Sequence, residues 1–378
     1  MGLLEKKKAI EDEIAKTQKN KATEYHLGKL KGKLAQIKKQ VLENSTHKAG
    51  SNEPNFEVRK KGNVRVALVG LPSVGKSSFL NRVTKTHSVA ASYDFTTLTC
   101  IPGMYVHKGT EIQILDLPGI VDGAVTESKG RGRQVVSTAR TADLILMMID
   151  ATQAEQQRRI ITKELSAVGI RLNRALPHVY FRKFVSKGSL NIIRFSCTCP
   201  TPLQNGLSEE LVKELLKQMD IYNAEVILHE DCTVEDFLDV IGGSARSIPC
   251  LYAYNKIDCL MMDEVDRLAR LPCSGVLSLQ MDLNVEQVKE DIWSLMDIVR
   301  VYGKPKNERP DFLTPHILRS GRCSVEDLCN AIHKDMVNKF RYALVWGRSA
   351  KQQPQQVGIQ HKLMDEDVVQ ILTTGVSA

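Results

Sequence analysis

Residues 64–69 read Val-Arg-Val-Ala-Leu-Val and run without a break into Gly70-Leu71-Pro72-Ser73-Val74-Gly75-Lys76-Ser77. No other stretch of this 378-residue chain restricts its fold as strongly. A β-branched apolar run ends in a G-x-x-x-x-G-K-S turn, and a helix-like pattern follows from Ser78. Glycines at such a turn let backbone N–H groups point inward at phosphate oxygens, and the helix N-terminus adds its positive end. Lys76 is expected to bridge β- and γ-phosphates, and Ser77 to give one oxygen to a divalent cation. Gly70 to Ser78 are thus candidate nucleotide contacts.

The stretches 112–116, 144–150 and 250–255 are further candidate buried strands, separated by helix-like segments. Strands alternating with helices imply an α/β fold with a parallel sheet covered on both faces. Asp116-Leu117-Pro118-Gly119 falls at the tip of the second strand, where a carboxylate suits the water shell of Mg2+ and the Gly119 N–H a γ-phosphate. Asn255-Lys256-Ile257-Asp258 ends another strand and selects the base. Guanine presents N1–H and an exocyclic NH2 side by side, both of which the Asp258 carboxylate can accept. Adenine has a lone pair at N1, which that carboxylate repels. The expected ligands are therefore GTP and GDP. Between the first two loops lies Phe95-Thr96-Thr97-Leu98-Thr99, and residue chemistry leaves open which threonine gives Mg2+ a second side-chain oxygen.

Two βαβ steps of about 30 residues each account for less than half of the chain between Asp116 and Asn255. The surplus implies an inserted α/β subdomain over residues 168–247, with a helix near 209–219. Residues 63–167 and 248–298 are then the two parts of the nucleotide-binding domain. Before it, Leu3, Ile10 and Ile14, and then Leu27, Leu30, Leu34, Ile37 and Val41, recur at helical steps. They read as a helical hairpin over residues 1–50 that needs another part of the chain to cover it. After residue 299 the pattern restarts as a compact α+β module to residue 376, with strands at 300–302, 342–346 and 368–372 and a helix over 325–340.

Charge is concentrated at the ends. Residues 1–50 hold 12 lysines against 6 acidic residues, and residues 300–378 hold 12 basic against 8 acidic, in a chain of net charge +8. Basic ends on a near-neutral middle suggest a polyanionic contact, with an ordinary solvated surface as the alternative. No apolar run is long enough to span a bilayer, and the opening residues do not read as a secretion signal, so a cytoplasmic protein is expected. Nine cysteines are scattered. Cys197, Cys199, His229 and Cys232 match no common zinc spacing.

These segments together resemble the Obg-related GTPases, and within them the developmentally regulated GTP-binding proteins. The resemblance runs over nearly the whole chain. It rests on TQKNKAT at 17–23, GLPSVGKS at 70–77, YDFTTLTCIPG at 93–103, LDLPGI at 115–120 and KGRGRQV at 129–135. GIRLN at 169–173, YNKID at 254–258 and YALVWG at 342–347 complete it, and the opening residues with EVDRLAR at 264–270 favour the second eukaryotic branch. The resemblance implies a Ras-like G domain with an inserted subdomain, an N-terminal helical hairpin and a C-terminal ubiquitin-like TGS domain. It implies a Mg2+-dependent GTPase, forming GDP and phosphate, with Lys76, Thr97 and Gly119 at the reacting phosphate and Ser77, Thr97 and Asp116 at the metal. Phe95, Thr96, Ser278 and Leu279 join the nucleotide contacts. It further implies a dedicated regulatory protein, association with ribosomes through the basic hairpin and the TGS domain, and no sequence-specific DNA binding or membrane insertion. Lys21 becomes a candidate for hydroxylation.

Three departures qualify the chemistry. Ile120 follows Gly119 where many GTPases carry a water-orienting glutamine, which implies slow, partner-stimulated hydrolysis. The fifth guanine loop reads Ser278-Leu279-Gln280 where Ser-Ala-Lys is usual, which implies weaker nucleotide binding. Ser73 replaces the asparagine common in potassium-activated relatives, so K+ stays an open second cation. A nucleotide-gated scaffold with negligible turnover is the alternative function. Basic residues Lys129, Arg131, Arg133 and Arg140 in the stretch 119–140 read either as phosphate contacts ordered by GTP or as a partner-binding loop.

Overall fold

The computed structural model describes residues 3–18, 23–47, 62–85, 101–118, 138–167, 169–184, 193–198, 207–243 and 245–373. The expectations placed on Lys21, Phe95, Thr96, Thr97, Thr99, Gly119, Ile120, Lys129, Arg131 and Arg133 lie outside them. The chain forms two compact units, Met1–Asn55 with Leu165–Ser247, and Phe56–Glu164 with Ile248–Ala378. Among the described residues no helix is long and apolar enough to cross a membrane.

The second unit contains the nucleotide-binding sheet. Strands β1 (Val64–Val69), β2 (Ile101–His107), β3 (Thr110–Asp116), β4 (Leu144–Asp150), β10 (Cys250–Asn255) and β11 (Ser274–Val276) lie in the order β11-β10-β4-β1-β3-β2. All pairs are parallel except the β2–β3 hairpin at the edge. Every residue of β1 is buried, as a parallel strand covered on both faces requires. Arg65, 5% exposed, is tolerated there because Nε donates to Gln113 Oε1 at 3.0 Å and Nη1 to Thr141 Oγ1 at 2.8 Å. Helix Lys76–Lys85 and helix Val285–Leu295 cover the sheet, with Phe79, Val83, Val288 and Ile292 in its core.

In the same unit, β12 (Ile298–Gly303), β13 (His316–Arg319), β14 (Phe340–Trp346), β15 (Gln355–Val357) and β16 (Asp367–Thr373) form a second sheet in the order β13-β12-β16-β14-β15. The helix expected over 325–340 is shorter and spans Val325–Ile332. Ser324 and Asp327 form a capping box at its start, but His333 at its end is extended at φ −160°, and Phe340 already opens β14. Asp143 ties the two sheets together. It accepts the Arg65 N–H at 3.0 Å and pairs closely with Arg319.

The first unit pairs the hairpin with the insert. Helix α1 (Leu3–Lys16) folds back on α2 (Glu24–His47), and α2 packs on the insert helices Glu209–Gln218 and Val234–Gly242. This supplies the cover that the hairpin's apolar face required. Leu27 and Leu30 are buried, and Gly28 and Gly32 let α2 come close. A Cβ on Gly28 would stand 2.9 Å from Leu211 Cδ1, and one on Gly32 would press on Leu215 and Gln218. Tyr25 Oη and Lys29 Nζ both reach Glu214, at 3.0 and 2.9 Å. Behind these helices β6 (Val179–Lys183), β8 (Ala224–Leu228) and β7 (Ile193–Cys197) form a three-stranded sheet in that order, and β5 (Ile170–Leu172) pairs with β9 (Arg246–Ile248) in a two-stranded one.

Candidate nucleotide site

The turn after β1 has the shape its glycines predict. Ser73 and Gly75 adopt left-handed backbone at φ +64° and +101°, a region that costs most side chains energy. Gly75 also has no room for more, since a Cβ would stand 2.5 Å from Asn255 Nδ2. Helix Lys76–Lys85 begins directly after the turn, so its first N–H groups face the space above β1. Lys76 is 8% exposed, and its ammonium donates to the carbonyls of Gly70 at 3.1 Å and Leu71 at 2.8 Å. Burial lowers its pKa, and the nearby Asp116 opposes that shift. An ammonium whose hydrogen bonds among the described residues go to two neutral carbonyls at a helix N-terminus is placed to receive an anion.

Ser77, in the first turn of helix Lys76–Lys85, meets Asp116 at the end of β3. Ser77 Oγ donates to Asp116 Oδ2 at 2.5 Å, because β1 and β3 are parallel neighbours with Leu68 opposite Asp116. The other carboxylate oxygen, Oδ1, is buried with no hydrogen-bond partner among the described residues. A hydroxyl and an unsatisfied carboxylate oxygen are hard ligands of the type Mg2+ takes beside phosphate. The residues present fit the cation. Leu117 is buried and its N–H bonds the Leu68 carbonyl at 3.3 Å, which fixes where Pro118 leaves the sheet.

The base-selecting loop is held by two side chains. Asn255, 4% exposed, donates from Nδ2 to the Val74 carbonyl at 2.9 Å and accepts the Leu279 N–H on Oδ1 at 3.1 Å. It therefore pins the phosphate turn and the 278–280 loop to one strand end. Asp258 Oδ1 accepts the Ser278 hydroxyl at 2.6 Å. That hydrogen bond is the main reason its carboxyl sits below the usual aspartate pKa. Ser278 is fully buried and also exchanges backbone hydrogen bonds with Leu283. The 278–280 loop is thus closed on itself and on Asp258, despite lacking the Ser-Ala-Lys pattern. Lys256 stands in left-handed backbone at φ +67°, with Nζ 2.6 Å from Asp150 Oδ2. Burial would raise the Asp150 pKa, but the Lys256 and Thr152 hydrogen bonds outweigh it and lower it.

Of the expected site residues, Gly70 to Ser78, Asp116, Leu117, Pro118, Asn255 to Asp258, Ser278 and Leu279 all lie at the C-terminal ends of β1, β3, β10 and β11, or in the loops that follow. Ligands of parallel sheets bind at those ends. Sequence reasoning missed Asp150. Its position at the end of β4, opposite Asn255 in the register, was the available signal. Among the described residues no group of three His, Cys, Asp or Glu side chains could hold a metal ion, and Cys199 lies outside them.

Family models agree with this geometry. One described as a 50S ribosome-binding GTPase matches residues 65–179, a C-terminal region of that domain matches 191–298, and a TGS domain matches 299–373. The chain is 51% identical over 374 residues to developmentally-regulated G-protein 2 of Arabidopsis thaliana, covering 98% of this chain and 92% of that one. It is 52% identical over 372 residues to developmentally-regulated GTP-binding protein 2 of Homo sapiens, covering 98% of this chain and all of that one. GTP-binding protein 1 of Schizosaccharomyces pombe is 50% identical over 374 residues, 99% of this chain and all of its own. With a Ras-like P-loop GTPase domain, a TGS domain and near-complete alignment to these relatives, the chain belongs to the developmentally regulated GTP-binding protein family.

Proposed function

We propose that this GTP-binding protein works as a Mg2+-dependent switch that turns over slowly until a second factor stimulates it. The observation that carries the reading is the pairing of Ser77 with Asp116, whose Oδ1 is left unsatisfied beside the buried Lys76. Ser77 and Asp116 would hold Mg2+, together with Thr97 by family likeness, and the cation would supply charge neutralisation at the phosphates. Lys76 would leave the Gly70 and Leu71 carbonyls for phosphate oxygens. Gly75 and Val74 would hold the turn open, Gly119 would donate its N–H to the γ-phosphate, and Asp258 would accept both guanine N–H groups. Ile120 offers no group to orient water, so attack waits on a group supplied from outside or on K+.

The same reading places the protein in the cytoplasm, bound to a dedicated regulatory protein and to translating ribosomes. Its basic N-terminal hairpin and its TGS domain would contact ribosomal RNA, with no preference for DNA sequence. The match of residues 65–179 to a family described as a 50S ribosome-binding GTPase supports this reading. One experiment tests both halves. Multiple-turnover phosphate release is measured with purified protein in Na+ or K+ buffer, with and without ribosomes, alongside polysome co-sedimentation at rising salt. Stimulation by ribosomes and salt-sensitive co-sedimentation are the expected results. No phosphate release under any condition would favour the scaffold reading instead.

A further inference from the structure

The sheet of the inserted subdomain has one face packed and one face open. Phe181, Val226 and Phe195 form one cross-strand row, and Val179 and Leu228 pair in a second, toward the core built from helices Glu209–Gln218 and Val234–Gly242. The alternate residues must therefore point the other way. They fall into three rows across β6, β8 and β7. Arg182, Glu225 and Arg194 form the first, Tyr180, Ile227 and Ser196 the second, and His178, His229 and Thr198 the third. Arg182, Arg194, Ser196 and Thr198 are exposed, and Tyr180 is 44% exposed.

The chemistry of this face is selective. The His178 and His229 rings stand 4.6 Å apart and tilted by 40°, and Thr198 Oγ1 lies 2.9 Å from His229 Nδ1. Arg182 and Arg194 flank a single carboxylate, Glu225, yet neither guanidinium has a hydrogen bond or ion pair among the described residues. Two guanidinium groups without a partner among the described residues stand at one end of this face, and three aromatic rings stand at the other, with the Ser196 and Thr198 hydroxyls beside the rings on β7. Successive rows are about 7 Å apart along the strands, a spacing that lets neighbouring rows meet neighbouring nucleotides.

We infer that this open face of the inserted subdomain binds single-stranded RNA, with Tyr180, His178 and His229 stacking bases and Arg182 and Arg194 on the phosphates. Sheet faces with exposed aromatics and flanking basic residues recognise RNA in this manner. Ser196 can both donate to and accept from a ribose 2′-hydroxyl, and Thr198, whose Oγ1 donates to the Leu228 carbonyl at 3.2 Å, can accept from one, which favours RNA over DNA. An acidic protein segment would use the guanidinium groups but leave the rings idle. The inference needs neither GTP hydrolysis nor ribosome binding to hold.

The test uses the full chain loaded with GDP and a 12-mer RNA carrying 4-thiouridine. Ultraviolet crosslinks are mapped by mass spectrometry, and affinity is read from fluorescence anisotropy. Crosslinks are expected on peptides bearing Tyr180, His178 or His229. The double variant Arg182→Glu, Arg194→Glu should bind about tenfold more weakly and lower the slope of log affinity against log salt by about 1.4, at roughly 0.7 per phosphate contact. Tyr180→Ala should lose about tenfold while Tyr180→Phe stays within twofold, since the phenyl ring retains the stack. All variants should bind GDP as the parent does, which shows that they fold. Crosslinks confined to residues 1–50 or 299–378 would overturn the inference. So would unchanged affinity in the charge-reversed variant, equal affinity for DNA of the same sequence, or displacement of the RNA by polyglutamate at equal charge.

Discussion

The Ser278 hydroxyl donates to Asp258 Oδ1 at 2.6 Å, across 20 residues of chain and between two different loops. Asp258 is the group proposed to read guanine, and Ser278 sets the orientation of its carboxylate. Buried Ser278 has little freedom to turn away, because its backbone is fixed to Leu283 on both sides. The 278–280 loop is therefore anchored to Asp258 and Asn255 without the usual pattern.

Removing that hydroxyl should cost affinity without changing the base preference. Ser278→Ala is expected to weaken GTP and GDP alike by about tenfold, in line with losing one charge-assisted hydrogen bond. Isothermal titration with both nucleotides measures it. A loss for GTP alone would show that Ser278 acts through the γ-phosphate and not the base.

Asp258→Asn should instead change the preference. The amide keeps the size but presents an N–H2 toward guanine N1–H, which trades an attraction for a repulsion. GTP selectivity over ATP is expected to fall by at least about a hundredfold, as when a site built for one hydrogen-bond pattern meets another. Competition binding checks it, and retained selectivity would remove Asp258 from the base-reading role.

The pH dependence follows from the same pair. The Ser278 hydrogen bond, helped by the backbone, holds the Asp258 pKa below its ordinary value. A carboxylate with a lowered folded pKa contributes its interaction fully above the ordinary value and loses it as pH falls through the lowered one. Guanine affinity should therefore stay flat from neutral pH down into the usual aspartate range and fall only beneath it. In Ser278→Ala the fall should begin at higher pH. Fluorescent GDP titrations over an acid series provide the measurement, and superimposable profiles would contradict the assigned cause.

Gly75→Ala should abolish nucleotide binding. The added methyl meets Asn255 Nδ2 at 2.5 Å and faces a backbone at φ +101°. Both the clash and the strain act on the side chain that joins the phosphate turn to the 278–280 loop. Filter binding tests affinity, and far-ultraviolet circular dichroism separates a lost site from a lost fold.

Gly32→Val addresses the other unit. The branched side chain would push into Leu215 and Gln218 where α2 lies on helix Glu209–Gln218. Overpacking of this kind costs about 1–3 kcal/mol. Hydrogen exchange should show faster opening of α2, with GDP affinity unchanged. Unaltered exchange would mean that the hairpin does not depend on this contact.

The nucleotide loops were legible because each is local. A phosphate-binding turn needs glycines at fixed offsets, a base reader needs N-K-x-D at a strand end, and both patterns sit within eight residues or fewer of chain. The surplus length between Asp116 and Asn255 likewise announced an insert by arithmetic. Helix 325–332 was overextended because the apolar pattern continues through residues that the structure uses to turn and start β14. No local pattern records that His333 leaves the helical region.

By itself the sequence determined that a strand feeds Gly70-Leu71-Pro72-Ser73-Val74-Gly75-Lys76-Ser77, that Asn255-Lys256-Ile257-Asp258 ends another strand, and that the two ends are basic. Only the tertiary structure decided that Asn255 ties Val74 to Leu279, that Ser278 aims Asp258, and that Asp150 holds Lys256. It also decided that the hairpin lies on the insert through Gly28 and Gly32, and which face of the three-stranded sheet stays open. The physical reason is one of range. Backbone conformation answers to neighbouring residues, whereas these side-chain pairings depend on strand order and helix packing that bring together groups between 20 and about 190 residues apart.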